Sequence, residues 1–273
     1  MNKDVRNLNY FMFSQNSLRT FDECPYKFKK RYIDNLKWNN LPSTSARHMI
    51  EQGRDFHLIA QRYFNGIMSN DEKIDGELGI WYRSLLKHFP LIESNIYLPE
   101  YKLRMFYNDI RLEANYDLVV ITPQNKIEIW DWKTHYGCID KHINKTIQDS
   151  LMDSYQTAVY MFVLKQQIKM LLGNDIDCNN ISMTYWCPYP AQIIYKLPYS
   201  DKLHQQYKIK LGETINKILS FDYDNFSKQI DSSHCPKCEF NLLCNNTKPD
   251  FSNIDDTVQI IDELDLDHVE EIF

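Results

Sequence analysis

The stretch from Ile110 to Lys133, IRLEANYDLVVITPQNKIEIWDWK, decides the fold that this sequence predicts. Apolar and polar residues alternate on both sides of Pro123-Gln124-Asn125, and alternation around a turn signal is typical of two antiparallel strands. In the first half, a period of two puts the polar side chains on one face and the apolar ones on the other, which holds Ile110, Leu112, Ala114, Tyr116 and Leu118. Asp117, on the polar face with Arg111, Glu113 and Asn115, is therefore expected to face away from the core.

The second half of this stretch places an acid and a base on one surface. Ile127, Ile129, Asp131 and Lys133 share a face, so a carboxylate lies beside an ammonium. Two aspartates on neighbouring strands can hold a hard divalent cation, while a lysine orients water or stabilises negative charge. Alternatively, Asp131 and Lys133 form an ordinary solvated or ion-paired surface pair.

The flanking patterns predict an alternation of helices and strands. Helices are predicted at 14–35, broken at Cys24-Pro25, and at 45–64, 77–88, 149–172 and 200–219. A three-stranded meander is predicted over 97–132, with a first turn at Asn108-Asp109, and a further strand pair at 181–186 and 192–197. On the helix after the meander, Gln156 and Tyr160 lie on one face.

Composition predicts a globular protein with a real core. The 273 residues are 43% hydrophobic and include only 7 Gly and 10 Pro. No run reaches the roughly 18 apolar residues of a membrane span, and the start lacks a secretory signal, so we expect a cytoplasmic protein without a membrane partner. Although the net charge is −6, residues 250–273 hold nine acids and no Lys or Arg, so the rest is nearly neutral and can present a basic groove to a polyanion.

Seven cysteines in a chain expected to be intracellular favour thiol ligands or buried free thiols over disulfides. Cys235, Cys238 and Cys244 form a C-x2-C-x5-C array, which predicts a metal site that needs a fourth ligand. The possible fourth ligands are Cys24, Cys138, Cys178, Cys187 and His234. Spacing alone leaves open whether the metal is zinc or iron-sulfur.

The order of His57, Asp117, Asp131-x-Lys133 and Gln156-x3-Tyr160, with cysteines on both sides, resembles the PD-(D/E)xK nuclease superfamily. More narrowly it resembles the RecB-like branch with a 4Fe-4S cluster, which includes nuclease modules of recombination helicases and CRISPR-adaptation exonucleases. The resemblance spans residues 14 to about 246. It implies an α/β, restriction-endonuclease-like core: a central mixed sheet flanked by helices, with N- and C-terminal segments joined by a four-cysteine metal cluster.

The resemblance also implies a role for each matching residue. His57, Asp117 and Asp131 would bind Mg2+ or Mn2+, Lys133 would position the attacking water, and Gln156 and Tyr160 would steady the phosphate or the lysine. Cys24, Cys235, Cys238 and Cys244 would hold the 4Fe-4S cluster, with zinc as the alternative metal. Asn115 stands where the family commonly has a glycine, and Trp132 fills the variable position; neither change removes a catalytic group.

The function expected from this resemblance is metal-dependent DNA hydrolysis, by an exonuclease of DNA repair, recombination or CRISPR-type processing. The DNA would be single-stranded or carry a free end, and the basic segment 27–31 is either a guide for that strand or a solvated helix face. The alternative is a non-cutting DNA-binding subunit, and a zinc-stabilised RNA-processing enzyme is a further one. We expect residues 1–249 to form the nuclease domain and 250–273 an acidic tail that docks on a protein partner or only solubilises the chain.

Overall fold

The computed structural model describes residues 8, 10–36, 44–68, 73–107, 110–134, 145–189, 191–225 and 233–250. A π-helical turn, Lys29–Ile33, directly follows the short helix at Pro25–Phe28. The helices are α1 Gln15–Glu23, α2 Pro25–Phe28, α3 Thr44–Phe64, α4 Gly76–His88, α5 Lys145–Met152, α6 Tyr155–Leu172, α7 Asp201–Ser220 and α8 Asn241–Asn245. The strands are β1 Ile96–Tyr107, β2 Ile110–Ile121, β3 Ile127–Trp132, β4 Ile181–Pro188 and β5 Ala191–Pro198.

The five strands form one mixed sheet in the order β1-β2-β3-β4-β5. Neighbours are antiparallel except β3 and β4, which run parallel. Because parallel neighbours need a crossover connection, the chain between them has room for α5 and α6. The α/β class with a mixed sheet flanked by helices is therefore confirmed.

The sheet separates two hydrophobic cores. The first contains Leu112, Tyr116 and Ile129 together with the buried face of α6, and α1 and α7 also pack on α6. The second lies under α3 and α4 and is rich in aromatic side chains, among them Phe56 and Trp186. Each core packs against one face of the sheet. The face to which a strand side chain points therefore determines which helices it contacts.

The alternation in β2 changes phase at Asp117. Up to Tyr116 the even-numbered residues belong to the first core, but Leu118 lies in the second core and Val119 in the first. The prediction that Leu118 shares a face with Tyr116 is therefore wrong. The prediction that Asp117 faces away from the first core agrees with its half-buried position between buried neighbours.

The predicted helix over 149–172 is two helices. Ser154 has an extended backbone, with φ −67° and ψ 151°, and its hydroxyl accepts a hydrogen bond from the Thr157 amide, so α6 begins anew after it. The hydroxyl of Thr157 in turn donates to the Leu151 carbonyl near the end of α5. The break puts Gln156 in the first turn of α6, where its side chain points toward the end of β3.

Ion pairs bring the N-terminal and C-terminal segments together. Nε of Arg31 donates to Glu239 at 2.9 Å, and the Lys27 ammonium lies 3.9 Å from the same carboxylate. Both contacts connect residues near Cys24 with the cysteine array. Among the described helices, none is long and apolar enough to cross a membrane.

Candidate functional site

Three potential metal ligands meet where α3 crosses the β1–β2 hairpin. Nδ1 of His57 lies 3.4 Å from Oδ1 of Asp117 and 3.5 Å from Oε1 of Glu100. One ligand atom from each residue lies within 4.8 Å of the others, and all three side chains are half-buried. Within the described ranges, this is the one group of three His, Cys, Asp or Glu residues that comes so close.

Glu100 reaches this group through an unusual backbone conformation. Its φ of 48° is in the left-handed region, which few residues other than Gly, Asn and Asp adopt. It lies in β1 between Pro99, which pairs with Leu118, and Tyr101, which pairs with Tyr116. Glu100 is thus opposite Asp117, at the place where the alternation of the hairpin changes phase.

Asp117 also closes the end of the ladder between β2 and β3. The register of that ladder ends at Leu118 and Trp130. Beyond it, the Trp132 amide donates to Oδ2 of Asp117 at 2.6 Å, so a side chain replaces the backbone acceptor. This bond fixes one carboxylate oxygen and leaves the other, Oδ1, facing His57.

Asp131, Lys133 and Gln156 form a second, adjoining group. The ammonium of Lys133 lies 2.9 Å from Oδ1 of Asp131 and donates to the Gln156 carbonyl oxygen at 3.0 Å, while the Gln156 amide donates to Oδ2 of Asp131 at 2.9 Å. Oδ1 of Asp131 is buried and accepts no well-directed hydrogen bond from the described residues. That oxygen is the atom of this group best suited to take a further positive ligand.

The charges of the two groups act on each other. Burial raises the pKa of Asp131 to about 7, the ammonium of Lys133 opposes this rise, and the negative charge of Asp117 adds to it. Burial also opposes protonation of His57, yet Asp117, aided by Glu100, raises the pKa of the imidazole well above its usual value. A buried carboxyl group whose pKa is raised in this way, next to the negative charge of Asp117, favours a bound cation.

The donor set fits Mg2+ or Mn2+. Carboxylate oxygens suit both ions, and an imidazole nitrogen suits transition metals such as Mn2+ better than Mg2+. The structure brings His57 and Asp117 together as predicted and adds Glu100 to the group. Asp131 lies next to this group and is bonded to both Lys133 and Gln156. The proposal that these residues act in catalysis stays a prediction.

Comparison with known families decides the relationship of the chain. A model of the PD-(D/E)XK nuclease superfamily matches residues 12–245. The chain belongs to this superfamily. Since the match covers β1 to β5 and all the residues above, the carboxylate groups lie in the part of the chain that defines a PD-(D/E)XK nuclease.

Two of the solved structures that are similar to this chain have low sequence identity to it, whereas no curated protein matches the sequence. One is a proposed exonuclease from Eubacterium rectale, 10% identical, with a TM-score of 0.47 over 85% of this chain and 94% of its own. The other is a protein named SSO0001, 12% identical, with a TM-score of 0.39 over 89% of this chain and 94% of its own.

Tyr160 of this PD-(D/E)XK superfamily member is buried, as Asp131 is. It is 3% exposed, its ring centroid is 4.9 Å from that of Tyr116, and its carbonyl accepts the Tyr116 hydroxyl. Burial raises the pKa of Tyr160 well above its usual value, and the charges of Asp131 and Asp117 add to the rise while a hydrogen bond to Gln156 opposes it. Tyr160 therefore stays a neutral phenol that interacts with Gln156.

The basic segment 27–31 is engaged within the protein. Lys27 is 3% exposed and pairs with Glu23, and Arg31 pairs with Glu239. Lys29 also pairs with Asp224, and Lys30 pairs with Asp34. Its cations thus hold the N-terminal segment in place, which favours neither a solvated helix face nor a guide for DNA.

The four predicted cluster cysteines line one cavity, together with Lys27 and His234 among others. Burial raises the pKa of Cys24, and burial with the nearby Glu239 raises that of Cys238 to about 12. Of the other possible ligands, Cys178 and Cys187 are buried outside this cavity, and Cys138 lies outside the described residues.

Glu100 is the site residue that the sequence patterns missed, although a signal for it was present. Tyr107 pairs with Ile110 across the predicted turn. Counting back equally from that pair along both strands leads to Glu100 on one side and Asp117 on the other. A hairpin register taken from the turn would therefore have placed a second carboxylate opposite Asp117.

Proposed function

We propose that this protein is a divalent-metal-dependent DNA nuclease that hydrolyses phosphodiester bonds as an exonuclease. The observation that carries the proposal is the meeting of His57, Glu100 and Asp117 within 4.8 Å, next to the buried pair of Asp131 and Lys133. Membership of the PD-(D/E)XK superfamily supports DNA as the substrate. The role in repair, recombination or CRISPR-type processing belongs to the same proposal.

His57, Glu100, Asp117 and Asp131 would hold Mg2+ or Mn2+, with the backbone carbonyl near Trp132 as a further ligand. A bound divalent cation supplies Lewis acidity toward the phosphate and lowers the pKa of bound water. The carboxylates bind and orient that cation. Asp117 is held in position by the Trp132 amide, so its free oxygen needs little reorganisation.

Lys133 would position the attacking water and stabilise charge on the phosphate. Its ammonium donates to the Gln156 carbonyl oxygen and lies 2.9 Å from Oδ1 of Asp131. Gln156 holds both partners of the ion pair and thereby fixes the direction of the lysine. Tyr160 would act through Gln156 rather than on the phosphate, because its ring is buried.

The cutting hypothesis is tested by Asp131→Asn and Lys133→Met with labelled single-stranded DNA and Mn2+. Both variants should lose at least about a hundredfold in cleavage rate, since each removes an electrostatic contact to the reacting atoms. Asp175→Asn is the matched control, because Asp175 also pairs with a lysine, Lys165 at 2.7 Å, but is 68% exposed. An Asp131→Asn protein as active as the wild type would end the proposal.

A non-cutting DNA-binding subunit is the second candidate function. It would give a salt-sensitive complex with DNA and no products in Mg2+ or Mn2+.

The same labelled DNA, free-ended or circular and single- or double-stranded, separates exonuclease from endonuclease action. Loss of circular DNA at the rate of linear DNA would contradict an exonuclease that needs a free end.

We further propose that Cys24, Cys235, Cys238 and Cys244 hold a 4Fe-4S cluster of the RecB-like kind, in a cytoplasmic protein. Their common cavity supports this. Zinc is the alternative metal, because four thiolates also suit a tetrahedral zinc site. Protein purified without oxygen should be brown with four iron atoms per chain; colourless protein with stoichiometric zinc would contradict the proposal and support the zinc alternative.

The domain division is likewise a proposal: a nuclease domain at 1–249 and an acidic tail at 250–273 that binds a protein partner. Residues 251–273 lie outside the described part. The support is their charge, since the tail holds nine acids and no Lys or Arg. Deleting 250–273 should abolish partner binding and leave cleavage intact, and unchanged binding would reject the docking role.

A further inference from the structure

The β1–β2 hairpin has an exposed face that ends at the group of His57, Glu100 and Asp117, which we call the carboxylate site. We define the outer hairpin face by the side chains that point away from the first core between the hairpin tip and Asp117. Their cross-strand pairs are Phe106 with Arg111, Arg104 with Glu113, and Lys102 with Asn115. One step further along the same face, Glu100 lies opposite Asp117.

The charge of the outer hairpin face suits a polyanion. It carries three cations, Lys102, Arg104 and Arg111, and one acid, Glu113. Glu113 accepts a hydrogen bond from Nε of Arg104 at 3.0 Å, while the Arg104 side chain stays 61% exposed. The face therefore carries two more cations than acids, and the Arg104 side chain is largely open to solvent.

Aromatic rings lie at the far end of this face. Phe106 is 69% exposed and Tyr10 is 86% exposed. The Arg111 guanidinium lies over the Tyr10 ring, 5.6 Å from its centroid, and its strand partner is Phe106. The three side chains make a row of flat surfaces at the hairpin tip, and unpaired bases stack on such surfaces.

The order of these features along the hairpin matches a nucleic-acid strand. From Glu100 to Phe106 the strand extends about 20 Å at about 3.3 Å per residue, which accommodates several nucleotides. The aromatic row would hold bases, the cations in the middle would hold phosphates, and the carboxylates at the near end would hold the metal. Stacking requires bases that are not paired, because a duplex covers their faces.

We infer that the outer hairpin face binds single-stranded DNA and delivers it to the carboxylate site. The inference rests on the proposed nuclease function for its choice of DNA, but its surface is separate from the residues proposed to cut. The affinity of the face is therefore measurable without cleavage. Its specificity for single strands comes from the row of Tyr10, Arg111 and Phe106.

The test measures binding of fluorescent single-stranded and duplex DNA of one sequence by anisotropy, in an Asp131→Asn background with Mn2+. Lys102→Gln with Arg104→Gln should weaken single-strand binding at least about tenfold at 0.1 M salt. It should also lower the slope of log affinity against log salt by about 1.4, for two phosphate contacts. Lys169→Gln with Lys217→Gln, on α6 and α7 across the sheet, is the control and should change neither quantity.

Phe106→Ala separates stacking from charge. Loss of one stacked base should weaken single-strand binding at least about fivefold and leave duplex binding unchanged. Three results would each overturn the inference. They are equal losses of affinity for both DNA forms, tighter binding of duplex than of single-stranded DNA by the unmodified face, and wild-type affinity of the Lys102/Arg104 double variant. Mn2+ binding measured by calorimetry should be the same in these variants as in the Asp131→Asn background, because the face substitutions leave His57, Glu100 and Asp117 in place.

Failure of this inference differs from failure of the proposed function. If the wild type cleaves DNA but the face variants bind like the wild type, the inference alone is overturned. If the wild type cuts nothing while the face variants lose single-strand binding, the inference is supported and the nuclease proposal is overturned.

Discussion

Replacing Asp131 by Asn is expected to stabilise the metal-free protein above pH 7, although it removes a carboxylate that we propose is required for cutting. The pKa of Asp131 rises from an ordinary 3.8 to about 7 on folding, chiefly because the carboxyl group is buried. At about 1.4 kcal/mol for each tenfold change, this rise makes ionised Asp131 cost the folded state up to about 4 kcal/mol. Proteins often carry such costs at functional sites.

The sign of the pH dependence follows from the raised pKa. The stability that the protonated acid contributes is fully present below pH 3.8, and it is lost as the pH rises through about 7. Asn resembles the protonated acid in shape and does not ionise. Its amide nitrogen would, however, face the ammonium of Lys133, a mismatch that costs about 1–3 kcal/mol. We therefore expect a gain of about 1–3 kcal/mol at pH 8.

The assay is urea denaturation between pH 5 and 8 with EDTA present, followed by tryptophan fluorescence. The free energy of unfolding of the wild type should fall relative to that of Asp131→Asn as the pH rises toward 7, and the gap should then stay constant. Asp175→Asn, at a 68% exposed site, should run parallel to the wild type. A variant less stable than the wild type at pH 8, or a gap that does not change with pH, would refute the reasoning.

Three further predictions concern the site and the core. Glu100→Gln should weaken Mn2+ binding at least about tenfold by calorimetry, because it removes a charged ligand; unchanged affinity would exclude Glu100 from the metal site. Tyr116→Phe should lower the free energy of unfolding by about 1–2 kcal/mol, because the Tyr160 carbonyl loses its buried donor, whereas Tyr10→Phe, at an 86% exposed ring, should change it by less than about 0.5 kcal/mol. Burial lowers the pKa of His204, so its contribution to stability is full above pH 6.5 and is lost as the pH falls toward the lowered value; His204→Gln should flatten that part of the curve in urea denaturation.

The sequence predicted the sheet well because its strands carry strong local signals. The alternation from Ile110 and the turn at Pro123-Gln124-Asn125 each depend on neighbouring residues only. In the structure, the Thr122 amide donates to the Lys126 carbonyl across that turn, and β3 follows directly. The candidate residues Asp117 and Asp131 then come together because they sit on adjacent strands near the end of one ladder.

Features that depend on contacts between distant segments were not predicted. The left-handed backbone of Glu100 has no local signal, since Glu seldom adopts it. The change of phase beyond Asp117 depends on α3 and α4, which cover one side of the sheet and draw Leu118 into the second core. A period of two describes the alternation of side chains within one strand, and it gives no information about the helices that cover the sheet.

Cap chemistry explains why one helix became two. Apolar residues over 149–172 keep a helical spacing on both sides of Asp153 and Ser154, so periodicity alone favours a single helix. Ser154 instead caps the next helix with its hydroxyl, as serine commonly does. A cap residue inside a periodic run therefore marks a helix boundary, and here it lies just before Gln156.

The equal distance of Glu100 and Asp117 from their turn has a consequence for how this protein tolerates changes in length. Adding one residue to each arm of the hairpin near its tip would lengthen the hairpin and leave the two acids opposite each other. Adding a residue to one arm only would slip the pairing by one position and turn one acid to the other face of the sheet. Paired insertions are thus a neutral way for relatives to vary the reach of this arm, whereas single insertions must be absorbed by a bulge.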